Sequence, residues 1–96
     1  MAENERKALE SGFAVVKIYT EHLAIVGKIR VLRRDAESGN LLGFINQPGI
    51  RFLPVQDATV LSTRDKKPLA KKTLILLNKA QIEWILPIKE PEFRPR

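Results

Sequence analysis

The stretch from Leu23 to about Leu32 has a single glycine at its centre, after which apolar and basic residues alternate. Apolar residues recur at every second position, which is the period of a β-strand with one buried face. The buried face would carry Ile25, Gly27, Ile29 and Val31. A glycine in mid-strand marks a sharp bend or a bulge, which lets a sheet curl over itself. This pattern predicts a small, strongly curved β domain.

The length of the chain restricts it to one such domain. At 96 residues there is little chain for a second core. Hydrophobic residues make up 44% and charged residues 29% of the sequence, which is typical of a globular protein and outside the disordered range. We therefore expect a chain that folds unaided or in an oligomer.

Further strands are predicted where β-branched and aromatic residues cluster. These are residues 13–19, 50–55 with 58–61, 73–77 and 82–86. Pro54 is expected to interrupt the third strand. Only four residues separate the last two strands, so we expect them to pair as a hairpin. With both of its faces apolar, this hairpin predicts self-association.

The remaining segments carry turn and loop signals. Residues 2–10 fit either a short helix or a frayed tail, residues 33–40 an exposed loop, and residues 46–49 a turn. The charged stretch up to Lys72 is expected to be a second long loop. Prolines at 87, 91 and 95 predict an extended tail. The expected organisation is a helix or tail over residues 1–12, one domain over 13–87, and a proline-rich tail over 88–96.

Five antiparallel strands, one of them bent at a glycine, are most simply arranged as a small SH3-like barrel. The segment Leu77-Asn-Lys-Ala-Gln-Ile-Glu-Trp-Ile-Leu-Pro87 resembles the second signature of the Sm-like (LSm) family. Gly27-Lys-Ile29 resembles the bent strand of its first signature, and Asn46 followed by residues 52–58 resembles the end of that signature. The same arrangement is similar to that of small uncharacterised bacterial proteins. The fold expected from this resemblance is a five-stranded Sm-like barrel with a short N-terminal helix.

The resemblance also has departures. Gly43, Phe44 and Ile45 stand where the family usually has an aspartate, and an extra turn follows at residues 47–49. Asn78 and Lys79 replace the family's arginine-glycine pair. Sm-like proteins form rings that bind single-stranded RNA, and the resemblance implies RNA contacts at Asn46, Asn78 and Lys79. Turn formation is the alternative explanation for these three residues.

Charge is concentrated in one segment. The chain has a net charge of +6, and residues 64–79 hold six basic residues and one acidic residue, a net of 6 − 1 = 5. Lys66, Lys67, Lys71 and Lys72 could therefore bind phosphates by releasing counterions. The alternative is a solvated loop with no ligand.

Residues that several classes of protein function require are missing from the sequence. The chain has no cysteine for a disulfide or a thiolate zinc site, and its single histidine, His22, lies in a predicted turn. Neither an acid–base pair nor a glycine-rich phosphate loop is evident, so we expect no enzyme, no metal, no cofactor and no small-molecule substrate. The polar N-terminus and the short apolar runs predict no signal peptide, no membrane segment and a cytoplasmic protein.

Two hypotheses follow. The favoured one is a self-associating protein-interaction or structural module, a homo-oligomer with outward contacts from Val15, Tyr19 and Ile85. Trp84 is then most simply a core residue, with an exposed interface role as the alternative. The other hypothesis is an oligomeric Sm-like protein that binds single-stranded RNA.

Overall fold

The computed structural model describes residues 11–32 and 41–92. Five strands dominate, which confirms the mainly β prediction. They are β1 (Ser11–Tyr19), β2 (Leu23–Leu32), β3 (Phe52–Ser62), β4 (Pro68–Asn78) and β5 (Trp84–Lys89), with a one-turn helix α1 (Leu41–Ile45) and a 3-10 turn (Lys79–Gln81). The predicted N-terminal helix or tail over residues 2–10, the loop over 33–40 and the end of the C-terminal tail lie outside the described residues.

All five strands belong to one antiparallel sheet in the order β4-β3-β2-β1-β5. The last two strands therefore lie at opposite edges, and the prediction that they pair as a hairpin is wrong. No ladder joins β4 to β5 within the described residues, so the sheet is not closed into the expected barrel. The segment between them carries the chain from one edge of the sheet to the other.

The 3-10 turn redirects the chain after β4. The Asn78 side chain accepts a hydrogen bond from the Ala80 N–H at 2.9 Å, and the Ile82 N–H donates to the Lys79 carbonyl at 3.1 Å. The Glu83 N–H then donates to the Tyr19 carbonyl at 2.8 Å. Because a side-chain cap satisfies a backbone donor at the start of a helical turn, the chain turns away from β4 and starts β5 on the free side of β1.

The core lies on the concave face of the sheet, where alternate residues of the first three strands point inward. β1 contributes Ala14, Val16 and Ile18, and α1 adds Leu41 from above. The full buried cluster comprises Ala14, Val16, Ile18, Ile25, Ile29, Val31, Leu41, Leu53, Val55 and Ala58. Ile75, Leu77, Ile82 and Ile85 pack against it from the edges.

The predicted bend at Gly27 is present as an irregularity between β2 and β3. Val26 pairs with Thr59 and Lys28 with Gln56, so the single residue Gly27 lies opposite two residues of β3. One of these two, Asp57, has a φ of 49°, in the left-handed region. An extra residue on one strand bends that strand and increases its twist. The irregularity expected at Gly27 is therefore present, with the extra residue on β3 and not on β2.

Two prolines lie inside strands, contrary to the sequence-based expectation. Pro54 pairs with Leu76 of β4, but it lies beyond Gln56, the last β3 residue paired with β2. Pro87 lies in β5, which is an edge strand. Proline lacks an N–H and is tolerated where one side of a strand has no partner. β3 is therefore continuous, and β5 continues past the predicted start of the tail.

The long charged loop is shorter than predicted. β4 begins at Pro68, so Lys71 and Lys72 lie in the strand, where they pair with Thr59 and Ala58. Polar residues can extend a strand at an edge because one side and one face remain in water.

Candidate interaction surfaces

The two edges of the sheet carry exposed apolar side chains. On β4, Ile75 and Leu77 face the core, whereas Leu74 and Leu76 are 53% and 63% exposed. Phe52 and Pro54 of β3 are exposed next to them. We call Phe52, Pro54, Leu74 and Leu76 the β4 patch. An edge strand with unpaired backbone groups and an apolar face can pair with another chain.

The opposite edge has a comparable surface on β5. Trp84 is 52% exposed, and Leu86 and Ile88 are also exposed. The Trp84 ring stacks on Tyr19 of β1 with 3.9 Å between ring centroids and 9° between planes. We call Tyr19, Trp84, Leu86 and Ile88 the β5 patch. Because stacking holds the large Trp84 ring in one orientation, little side-chain entropy remains to be lost on contact with a partner.

The three residues predicted to form an interface do not lie on one face of the sheet. Val15 and Tyr19 lie on the outer face of β1 and are half-buried. Ile85 packs against the core, so its expected outward position is wrong. Trp84 is not the expected core residue, because β5 turns its even-numbered residues outward. The sequence favours the opposite orientation, since the even-numbered residues Trp84, Leu86 and Ile88 are all apolar whereas the odd-numbered positions include Lys89.

Asn46, Asn78 and Lys79, the residues matched to RNA-binding positions, lie where the 3-10 turn contacts the segment after α1. The Lys79 Nζ donates hydrogen bonds to the Ile45 carbonyl at 2.5 Å and to the Gln47 carbonyl at 3.4 Å, on either side of Asn46. The Lys79 N–H also donates to the Arg51 carbonyl at 2.9 Å. The ammonium group of Lys79 thus joins the 3-10 turn to the segment after α1. Asn46 is exposed, whereas the Asn78 side chain caps the turn.

We expect Asn78→Ala to lower the free energy of unfolding by about 1 kcal/mol, because the Ala80 N–H would lose its side-chain acceptor. Asn78→Asp, which keeps an oxygen at the same position, is the matched control and should stay close to wild type. Urea unfolding followed by circular dichroism measures both variants. Equal midpoints for Asn78→Ala and wild type would show that the cap contributes nothing.

The predicted phosphate-binding lysines do not form one surface. Lys66 and Lys67 lie in the β3–β4 turn, whereas Lys71 and Lys72 alternate along β4. All four are exposed. Lys71 and Lys72 also border a depression lined by Asp57, whose carboxylate lies 3.9 Å from the Lys28 Nζ.

A smaller pocket lies on the outer face of the sheet, at the end that holds the β1–β2 and β3–β4 turns. It has a volume of about 190 Å³ and is lined by Lys17, Tyr19, Ala24, Leu61, Ser62, Thr63 and Lys66. The Lys17 Nζ lies 5.2 Å from the centroid of the Tyr19 ring. This grouping of an aromatic ring, hydroxyls and ammonium groups was not predicted. Its members come from three strands and one turn, so no sequence spacing reveals it.

His22 is exposed in the β1–β2 turn, with its Nε2 3.6 Å from a carboxylate oxygen of Glu21. In the part of the chain that the structure describes, acidic and histidine residues form no group able to hold a metal ion. Residues 11–32 and 41–92 also contain no helix of the length and hydropathy needed to cross a membrane.

No family model matches the chain, and neither a curated protein nor a solved structure matches it significantly.

Proposed function

We propose that this chain is a cytoplasmic, non-enzymatic binding module that self-associates head to tail, with β4 of one copy pairing with β5 of the next. The observation that carries the proposal is the open sheet, whose two free edges both expose large apolar side chains: Leu74 and Leu76 on β4, and Trp84 and Leu86 on β5. Pairing of these edges would continue the sheet from copy to copy.

Edge protection supports this assignment. Folded proteins usually guard a free edge with lysines, prolines or a covering segment, since an unguarded edge aggregates. The first half of β4 has Lys71 and Lys72, but the second half, from Leu74 to Leu77, has no charged residue. A partner strand would bury the exposed leucines and satisfy the backbone groups of the β4 edge. On the β5 side, Pro87 and Lys89 confine the pairing to residues 84–86. Each leucine removed from water would contribute roughly 1.5–3 kcal/mol.

The proposed contact is head to tail because the two edges that it joins are different. β4 has eleven residues and β5 has six, and their outer faces carry leucines in one case and a tryptophan in the other. A contact between unlike surfaces generates a ring if its rotation closes and a filament if it does not. The resemblance of residues 77–87 to the Sm-like family, whose members form rings, favours an Sm-like fold and closure.

Sedimentation velocity over a concentration series tests the proposal. We expect a species heavier than the 10.9 kDa monomer at about 100 μM, with its proportion falling on dilution. Because the contact is mainly apolar, raising the salt concentration to about 1 M should not dissociate it. A protein that stays monomeric throughout would disprove self-association.

Binding of single-stranded RNA is the second candidate, and the exposed lysines Lys66, Lys67, Lys71 and Lys72 favour it. The hydrogen bonds of Lys79 and the cap made by Asn78 weaken it, because binding of RNA at these groups would compete with structural contacts. In the same experiment, absorbance at 260 nm relative to 280 nm distinguishes the two. An oligomer carrying nucleic acid that high salt removes would favour RNA binding, whereas a nucleic-acid-free oligomer would favour the protein-interaction role.

A further inference from the structure

The outer-face pocket is built on one row of residues that crosses the sheet. Tyr19 pairs with Ala24, and Ala24 pairs with Leu61, so the three side chains project side by side from β1, β2 and β3. Alanine is much smaller than its two neighbours. It therefore forms the floor of a depression whose walls are an aromatic ring and a leucine. A flat apolar group fits between such walls.

The rim of the pocket is polar and positively charged. Lys17 and Lys66 supply ammonium groups and Ser62 supplies a hydroxyl, whereas the Thr63 hydroxyl donates to the His22 carbonyl at 3.0 Å. The Ser62 Oγ accepts the Arg64 N–H at 3.3 Å, so among the described contacts its own proton is left for an outside acceptor. Arg64 and His22 border the adjoining depression. None of the residues lining the pocket is acidic.

Lys66 occupies a backbone position that lysine seldom takes. Its φ is 59°, in the left-handed region where glycine and asparagine are usual. The turn holds it there through a hydrogen bond from its N–H to the Ser62 carbonyl at 2.9 Å, and another from the Ser62 N–H to the Lys67 carbonyl at 3.1 Å. A glycine would satisfy the same turn with less strain. A strained residue that contributes a cation to a pocket points to a role in binding.

We propose that this pocket binds one nucleoside phosphate unit. The base lies over Ala24 between the Tyr19 ring and Leu61. It displaces the Lys17 Nζ, which lies 5.2 Å from the ring centroid in the free protein, and the phosphate accepts hydrogen bonds from Lys66, Lys17 and the Ser62 hydroxyl. The combination of an apolar slot for a planar ring with adjacent cations is what such a ligand requires. At about 190 Å³, the pocket is smaller than sites for drug-sized ligands, so it would enclose one base and leave the sugar and phosphate at the open rim.

This site overlaps the edge contacts of the proposed function only at Tyr19. Its floor and walls come from β1, β2 and β3, whereas the proposed assembly uses the free edges of β4 and β5. Tyr19 is shared, because its ring stacks on Trp84 and also lines the pocket. Trp84 is the single tryptophan of the chain, so its fluorescence reports on a ligand that contacts Tyr19.

Titration with AMP, followed by Trp84 fluorescence and by equilibrium dialysis, tests the site. We expect saturable binding of one AMP per chain, and binding of adenosine at least about tenfold weaker because it lacks the phosphate. Lys66→Gly should weaken AMP binding at least about fivefold while leaving the unfolding midpoint unchanged or higher, since glycine adopts the left-handed conformation without strain. Lys67→Ala, in the same turn but outside the pocket, is the matched control and should bind as wild type.

A second variant checks the slot for the base. Ala24→Val fills the floor with a residue that suits a strand and should abolish AMP binding with the protein still folded by circular dichroism. A 5′-phosphorylated adenosine hexanucleotide distinguishes the two sources of the ligand. If it binds no tighter than AMP, the natural ligand is a free nucleotide. If the hexanucleotide binds more than about tenfold tighter than AMP, and Lys66→Gly and Ala24→Val weaken its binding equally, the natural ligand is a single-stranded nucleic acid.

Three results would overturn the proposal: no AMP binding by folded wild-type protein, AMP affinity that both variants leave unchanged, or hexanucleotide binding that is insensitive to both. None of these outcomes depends on whether the protein self-associates, because a monomer has the complete pocket.

Discussion

Replacing Gly27 with alanine should lower the free energy of unfolding by about 3 kcal/mol. A β-carbon at this position would lie 2.5 Å from the Val55 Cγ1, 2.9 Å from the Gln56 carbonyl oxygen and 3.3 Å from the Ala58 Cα. Two of these three neighbours are backbone atoms of β3. They can retreat only if the β2–β3 ladder opens at the bend, where close packing leaves no room for adjustment.

The measurement is urea unfolding of Gly27→Ala, followed by Trp84 fluorescence and circular dichroism. Gly49→Ala is the matched control, because a β-carbon there would have no heavy atom within 4 Å. It should remain within about 0.5 kcal/mol of wild type. Similar midpoints for the two alanine variants would mean that β2 and β3 do not approach each other as closely as the structure shows.

The second large effect is expected at the β4 edge. The double variant Leu74→Lys, Leu76→Lys should weaken self-association by a factor of about 100 or more, because two apolar contacts are lost and two charges would have to be desolvated. Both leucines are more than half exposed in the single chain, so the fold should tolerate the change. Sedimentation velocity measures the dissociation, and circular dichroism checks the fold.

Mixing experiments identify which edges meet. A second double variant, Leu86→Lys with Ile88→Lys, alters the β5 edge instead. If β4 pairs with β5, each variant alone is monomeric, but a mixture forms a 1:1 dimer from the one intact edge of each partner. Symmetric β4–β4 or β5–β5 contacts would instead leave one variant dimeric alone and give no mixed dimer.

Phe13→Lys controls for the added charge, since Phe13 is 45% exposed on β1 and belongs to neither patch. It should assemble as wild type. Assembly that survives lysines at both edges would exclude the edges as the contact surface.

Local patterns predicted much of the sheet from the sequence. The alternation after Gly27 predicted β2 close to its observed bounds, and the mid-strand glycine lies where the register of β2 with β3 is irregular. Both features depend on a chain's own covalent geometry, namely the two-residue repeat of an extended backbone and the absence of a β-carbon. The strands at residues 13–19 and 73–77 were found within their observed bounds for the same reason.

Local sequence patterns could not predict which strands pair with each other. The short gap between β4 and β5 favoured a hairpin, but the Asn78 cap and the hydrogen bond from the Glu83 N–H to the Tyr19 carbonyl place β5 on β1. The same contacts decide that Trp84 faces outward and Ile85 inward. Which residues of an edge strand face the core depends on the register of that strand with its neighbour, and a shift of one residue reverses the two faces.

The same distinction between local and long-range features applies to the candidate sites. From the sequence alone came the mainly β domain, the irregularity at Gly27 and the excess of lysines after Arg64, because each depends on residues that are neighbours in the chain. Tertiary structure alone decided which edges stay free, that Lys79 is held by the carbonyls of Ile45 and Gln47, and that Tyr19, Leu61 and Lys66 share one pocket. These features join residues distant in sequence, and only the pairing and twist of the strands bring them together.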